Sequence, residues 1–182
     1  MAFDLAGGEL GNPAAPHAAA FAYAREHDLA CTCHAGEGAG ASYVREAVHV
    51  CGAHRIGHAT RLIEDESLTQ YVNDRRIALE ICLTSNVQTH AVESYEEHPL
   101  RRYYDRGMNV VLNTDNRLMS GTTLTDEYLL AAKALGFTFD ELAEVALNGF
   151  TSAFVPWQER AALVERARIE IAALRAGASK AS

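Results

Sequence analysis

The chain has 182 residues, enough for one domain with a sizeable core, and 48% of them are hydrophobic. Sixteen basic residues against 24 acidic ones leave a formal charge of -8, which argues against a nucleic-acid backbone or an anionic membrane as the main partner. No apolar run approaches the ~18 residues of a membrane span, and the N-terminus MAFDLAGGEL lacks the basic and long apolar regions of a signal peptide.

Short β-rich segments alternate with longer helical ones. Phe3-Asp4-Leu5 reads as the end of a strand, followed by Gly7-Gly8. Pro13 to His27 reads as a helix with proline near its first turn. Leu29 to Cys33 is a strand, and Ser42 to Cys51 a helix with Ser42 as N-cap and Gly52 at its end. Arg55 to Ala59 is a short strand, Glu64 to Asp74 an acid-started helix, and Ile77 to Leu83 a strand. Leu100 to Asp105 is a helical turn and Met108 to Asn113 a strand. Leu124 to Leu135, Asp140 to Leu147 and the charged stretch Trp157 to Arg175 are helices. Strands separated by helices predict βαβ units and a parallel sheet.

Of the four cysteines, Cys31, Cys33, Cys51 and Cys82, no two form a C-x-x-C. They read as reduced, buried thiols, which implies a cytoplasmic setting, and as poor metal ligands.

Four of the five strands end in polar or reactive groups: Gly7-Gly8-Glu9, His34-Ala35-Gly36-Glu37, Ser85-Asn86 and Thr114-Asp115-Asn116. The fifth carries His58 near its end. In α/β barrels functional groups gather at the C-terminal ends of strands. A histidine there is a zinc ligand or a structural group, and a nearby carboxylate such as Glu37 can move protons. His58 is a ligand, a general base, an electrostatic stabiliser or a loop histidine. Asp115 suits a metal or a turn; Asn116 suits a ligand nitrogen or a turn. Asn86 reads as a loop-shaping residue, and Gly7 and Gly8 as a tight turn or a close approach to a ligand. His54, four residues before His58, is set aside as a metal partner because the stretch reads as a strand. Together, His, Glu, His and Asp at successive strand ends suggest metal-assisted hydrolysis.

With these residues assembled, the sequence resembles the adenosine deaminase family of zinc amidohydrolases. The stretches that carry the resemblance are "DLAGGE" (Asp4–Glu9), "HAGE" (His34–Glu37), "RIGHAT" (Arg55–Thr60), "LEICLTSNVQT" (Leu79–Thr89) and "NTDNRLMSGT" (Asn113–Thr122), with "HPLRRYYDRG" (His98–Gly107) and "NGFTSAF" (Asn148–Phe154). The other zinc-deaminase signature, H-x-E with P-C-x-x-C, does not occur. The resemblance implies a parallel (β/α) TIM-barrel type of α/β fold, incomplete, comprising about strands 4–8 of the barrel and the C-terminal helices. It implies zinc as cofactor and adenosine or a related aminopurine as partner. His34 and Asp115 match zinc ligands, Glu37 the residue that protonates purine N1, and His58 the residue that positions or deprotonates the water on zinc. Gly7 matches a backbone contact to the purine ring. Asn116 stands where many relatives carry Asp facing N7. Three positions depart from common family residues: Leu83 for proline, Ala59 for glycine and His90 for glycine.

The family's other two zinc ligands are an H-x-H pair on its first strand. The eight histidines here are at 17, 27, 34, 49, 54, 58, 90 and 98, and no two are separated by one residue. A full (β/α)₈ barrel takes about 250 residues, so the chain is expected to be a single partial barrel lacking the N-terminal strands. Alone it is expected to be poorly active, and to self-associate through the open barrel edge. The leading reading is deamination of adenosine to inosine. The alternatives are deamination of another 6-aminopurine such as adenine, or a non-catalytic purine-binding remnant. An amide donates a hydrogen bond at any pH, whereas a carboxyl must be protonated to do so. Asn116→Ala in an active form is therefore expected to weaken purine binding, and unchanged purine affinity in a titration would overturn the assignment.

Overall fold

A computed structural model describes residues 1–178 of the chain. Five strands form one parallel sheet in chain order: β1 (Ala2–Leu5), β2 (Ala30–Ala35), β3 (Arg55–His58), β4 (Ala78–Ile81) and β5 (Val110–Leu112). The helices are α1 (Ala18–Glu26), α2 (Ala41–His49), α3 (Glu66–Asp74), α4 (Leu83–Gln88), α5 (Leu100–Asp105), α6 (Arg117–Ser120), α7 (Leu124–Leu135), α8 (Phe139–Thr151) and α9 (Trp157–Ala178). The expectation of an α/β fold with a parallel sheet holds. Consecutive strands are spatial neighbours throughout, as in an arc of a barrel.

The two faces of the sheet differ sharply. Cys31, Cys33, Ile56, Leu79, Ile81 and Val110 point to the helices and are fully buried against Phe21, Val44, Leu68, Val72 and Tyr103. Each such aliphatic or aromatic side chain contributes ~1.5–3 kcal/mol on burial. The opposite face carries Thr32, paired in register with Arg55, and His34, paired with Gly57, which pairs in turn with Glu80. Thr32 Oγ1 donates to Glu80 Oε2 at 2.8 Å, and Arg55 Nε lies 3.0 Å from Glu80 Oε1 without hydrogen-bond alignment. Parallel sheets are normally covered on both faces. Here the second face is polar and half-exposed, and among the described residues β1 and β5 each pair on one side only.

Several boundaries differ from expectation. Gly40, extended at φ -74° and ψ -179°, precedes α2, so Ser42 lies inside the first turn instead of capping it. The Pro13–His27 helix starts later, as a 3₁₀ turn over Ala15–His17 that leads into α1. β4 stops at Ile81, and Leu83 is the first residue of α4. The apolar run Ile81-Cys82-Leu83 hides that change of period. Capping boxes start the C-terminal helices, Thr123 with Asp126 for α7 and Thr138 with Glu141 for α8. α8 runs on to Thr151, beyond the expected Leu147.

Tyr103 of α5 ties the helical layer to the end of β3. Its hydroxyl donates to Ala59 O at 2.8 Å and accepts from Ile63 N–H at 3.0 Å, in a fully buried position. Tyr103→Phe leaves the part-buried Ile63 N–H without this acceptor and the Ala59 carbonyl with Leu62 N–H alone, at 3.1 Å. A loss of about 1–3 kcal/mol in urea-unfolding stability is expected, and a loss below ~0.5 kcal/mol would mean that the hydroxyl does not anchor this strand end.

Candidate functional site

β2 ends in His34-Ala35 and β3 in Gly57-His58, with Ala35 paired to His58 and His34 to Gly57. Gly57 makes room for the neighbouring imidazole: a Cβ there would lie 2.8 Å from His34 Cδ2. Strict alternation would send His58 to the helix-covered face with Ala35. Instead His58 and Ala59 both take left-handed backbone, at φ 64° and 52°, a conformation that costs a non-glycine residue roughly 1–2 kcal/mol. The turned ring meets His34 edge-on, with centroids 4.6 Å apart and Nε2 3.2 Å from His34 Nδ1.

Glu37 joins them from the loop after β2, its Oε2 3.6 Å from His58 Nε2. Burial, and then the neighbouring His34, lower the His58 pKa to about 4. The contact is therefore between a neutral imidazole and a carboxylate and is no ion pair. Thr89 Oγ1 donates to Glu37 Oε1 at 3.0 Å and fixes the carboxylate from the end of α4. Among the described residues, His34, Glu37 and His58 are the group whose ligating atoms gather within 4.8 Å of one another. Two imidazole nitrogens and a carboxylate oxygen are a donor set that suits a borderline metal ion such as zinc.

Asp115 stands outside that triplet. It follows β5 with left-handed backbone at φ 56°, and its Oδ2 accepts from Ser85 Oγ at 2.7 Å. Its charge is nevertheless close enough to His58 to offset part of the effect of burial there. Asn116 is the N-cap of α6, its Oδ1 accepting from Leu118 and Met119 N–H at 3.2 Å each. That leaves its exposed Nδ2 without a partner among the described residues. Gly7 is exposed at φ 128°, with no other group within 4 Å of the point a Cβ would occupy, and a cleft of about 250 Å³ joins it to His34.

Four contributors were given no part in the site's chemistry from the sequence, although Glu9 and Asn86 were noted at strand ends. The buried carboxylate of Glu9 accepts from Gly36, Glu37 and Ala39 N–H at 3.0 Å each, so the turn that carries Glu37 is built around it. Asn86, expected in a loop, is a buried residue of α4 whose Nδ2 lies 2.9 Å from His58 Nδ1. Its Oδ1 lies 3.2 Å from Nε2 of the buried His98. Thr89 completes the set. The spacing of Ser85, Asn86 and Thr89 on one helix was the available signal, and it was obscured by reading the stretch as strand and loop. His54, set aside as a ligand, accepts the Cys31 N–H at 3.0 Å through Nδ1.

Residues 1–169 match the family described as adenosine deaminase. An adenosine deaminase from Klebsiella pneumoniae (strain 342) is 42% identical over 165 residues, which cover 91% of this chain and 50% of the relative. Among solved structures, the adenine deaminase of Arthrobacter aurescens superposes with a TM-score of 0.89 at 31% identity, over 93% of this chain and 52% of that one. The N6-methyl-AMP deaminase of Arabidopsis thaliana does so with a TM-score of 0.81 at 27% identity, over 94% and 49%. The chain thus spans about half the length of the relatives it matches, and the expectation of a partial (β/α) barrel holds.

Burial holds two imidazoles neutral, His58 at about 4 and His98 at about 3, against about 6.5 in the unfolded chain. The folded pKa values lie below the unfolded ones, so stability is complete above about pH 6.5. It falls as pH drops toward 4, where the unfolded state takes up protons the folded state refuses. Two such groups give a slope of up to ~2.7 kcal/mol per pH unit. Urea unfolding near pH 7 and near pH 5 is expected to show the loss, and equal stability at both would refute it.

Proposed function

The chain belongs to the adenosine deaminase family, and on that premise we propose that it supplies the proton-handling half of a site for hydrolytic deamination of a 6-aminopurine, with adenosine to inosine and ammonia as the leading reaction. The observation that carries this reading is the convergence of His34, Glu37 and His58 at two adjacent strand ends. Glu37, oriented by Thr89 and held on the turn around Glu9, takes up the proton released by the attacking water and passes it to ring nitrogen N1 as the water oxygen adds at C6. His58 orients the attacking water beside it. Gly7 leaves its backbone open to the purine, and the unpartnered Nδ2 of Asn116 donates to N7.

The metal of this reading is zinc, with His34 and Asp115 as its ligands, while Glu37 and His58, the other members of the group around His34, are kept for proton transfer and for orienting the water. The donor set fits in kind, with an imidazole nitrogen and a carboxylate oxygen, but two residues fall short of the three protein ligands of a catalytic zinc site. When bound, zinc would supply Lewis acidity to the attacking water. No H-x-H pair occurs in the chain. The chain alone is accordingly proposed to bind metal weakly and turn over poorly, and to pair with further strands through the free edges of β1 and β5, a second copy included. A cytoplasmic setting belongs to the same proposal and rests on its four buried free thiols.

A second reading keeps the same chemistry with a different base, because the relatives named for adenine and for N6-methyl-AMP are also similar. A non-catalytic purine-binding remnant is the third, and the joint presence of Glu37, His58 and Asp115 speaks against it. The test is zinc content and turnover of adenosine, adenine and N6-methyl-AMP by the purified 182-residue chain. Sub-stoichiometric zinc and weak or no turnover are expected. Stoichiometric zinc with turnover at the rate of full-length relatives would overturn the half-site reading. An H-x-H pair in the coding sequence upstream would support the deaminase over the remnant.

A further inference from the structure

The hydrogen bonds behind His58 run in one direction only. Pro99 has no N–H, and the first amide of α5, Leu100 N–H, donates to His98 Nδ1 at 3.0 Å. A backbone amide cannot become an acceptor, so His98 Nδ1 holds a lone pair and the hydrogen of its neutral ring sits on Nε2. Nε2 lies 3.2 Å from Asn86 Oδ1, which must accept. The Asn86 amide is then fixed, because turning it over would set two donors against each other. Its Nδ2 therefore donates to His58 Nδ1 at 2.9 Å, and the hydrogen of neutral His58 is left on Nε2, 3.2 Å from His34 Nδ1 and 3.6 Å from Glu37 Oε2. Asn86 is 0% exposed, His58 1% and His98 2%, so solvent has no access to reverse any link.

From this chain of donors we infer that His98 is a positioning residue: acting through Asn86, it sets which ring nitrogen of His58 carries the hydrogen that faces His34 and Glu37. Its consequence for turnover rests on the proposed deaminase reading, whereas the hydrogen position does not. The arrangement is directional because the helix amide that starts it is covalently incapable of the opposite role. Removing His98 frees Asn86 to present either end to His58, and the ring can then hold its hydrogen on either nitrogen.

Spectra of the metal-free chain labelled with ¹⁵N-histidine, taken near neutral pH, read the ring nitrogens directly. His58 and His98 are both expected to be protonated on Nε2 and unprotonated on Nδ1. His98→Gln keeps a donor toward Asn86 and is expected to retain the His58 pattern. His98→Leu is expected to shift His58 toward a mixture of the two forms. Asn86→Asp presents an acceptor to Nδ1 and is expected to move the hydrogen there. A wild-type His58 protonated on Nδ1 overturns the inference, as does an unchanged His58 pattern in Asn86→Asp. If His98→Leu does not fold, these two measurements decide alone. In a form with turnover, His98→Leu is expected to lower kcat on the order of 10²-fold with KM nearly unchanged, and His98→Gln to restore most of it. The spectra need no turnover, so failure of the deaminase reading and failure of this inference are seen separately.

Discussion

Everything at this site hangs on the ladder between β2 and β3. The pairing of His34 with Gly57 gives one imidazole a neighbour with no side chain, and the pairing of Ala35 with His58 brings the second imidazole level with it. A one-residue slip would send His34 to the helix-covered face, because side chains alternate along a strand. The register is held by the buried face, where Cys33 and Ile56 pack side by side in the core. The hydrophobic contacts behind the sheet thus decide the polar contacts in front of it.

Around that ladder the polar groups are arranged in supporting layers. Glu9 gathers three backbone N–H groups and shapes the turn after β2, Thr89 aims the Glu37 carboxylate, and Asn86 backs the His58 ring. Each is a hydrogen bond whose partners are distant in sequence, and most are removed from water. A hydrogen bond in such a place stabilises only modestly when made but is costly to leave unmade, so the supports are rigid. The strained backbone at His58 and Ala59 is held by the same surroundings, with Tyr103 gripping the Ala59 carbonyl from α5.

The three departures from common family residues acquire a physical sense. Ala59 and His90 stand where glycine is common, and both take left-handed backbone, at φ 52° and 58°. Glycine would adopt that conformation at little cost. Leu83 stands where proline is common, and it is the first helical residue of α4, the position at which proline's missing N–H and fixed φ are best tolerated. In each case the backbone keeps a shape that another residue would adopt more cheaply.

By itself the sequence determined the alternation of strands and helices, the parallel sheet, and the polar strand ends that hold His34, Glu37, His58 and Asp115. These follow from short-range periodicity and turn chemistry, which neighbouring residues express on their own. It misplaced the end of β4, because an apolar run reads alike as strand end or helix start. It therefore left Asn86 in a loop and gave His98 no role. Only the tertiary structure decided that His58 turns its ring to His34 with Asn86 and His98 behind it, and that Glu9 rather than a local cap builds the turn under Glu37. Those choices depend on donors and acceptors 12 to 28 residues apart, or on one backbone dihedral taken against its intrinsic preference. No local pattern in a sequence records such pairings, since it is the packed core that brings the partners together.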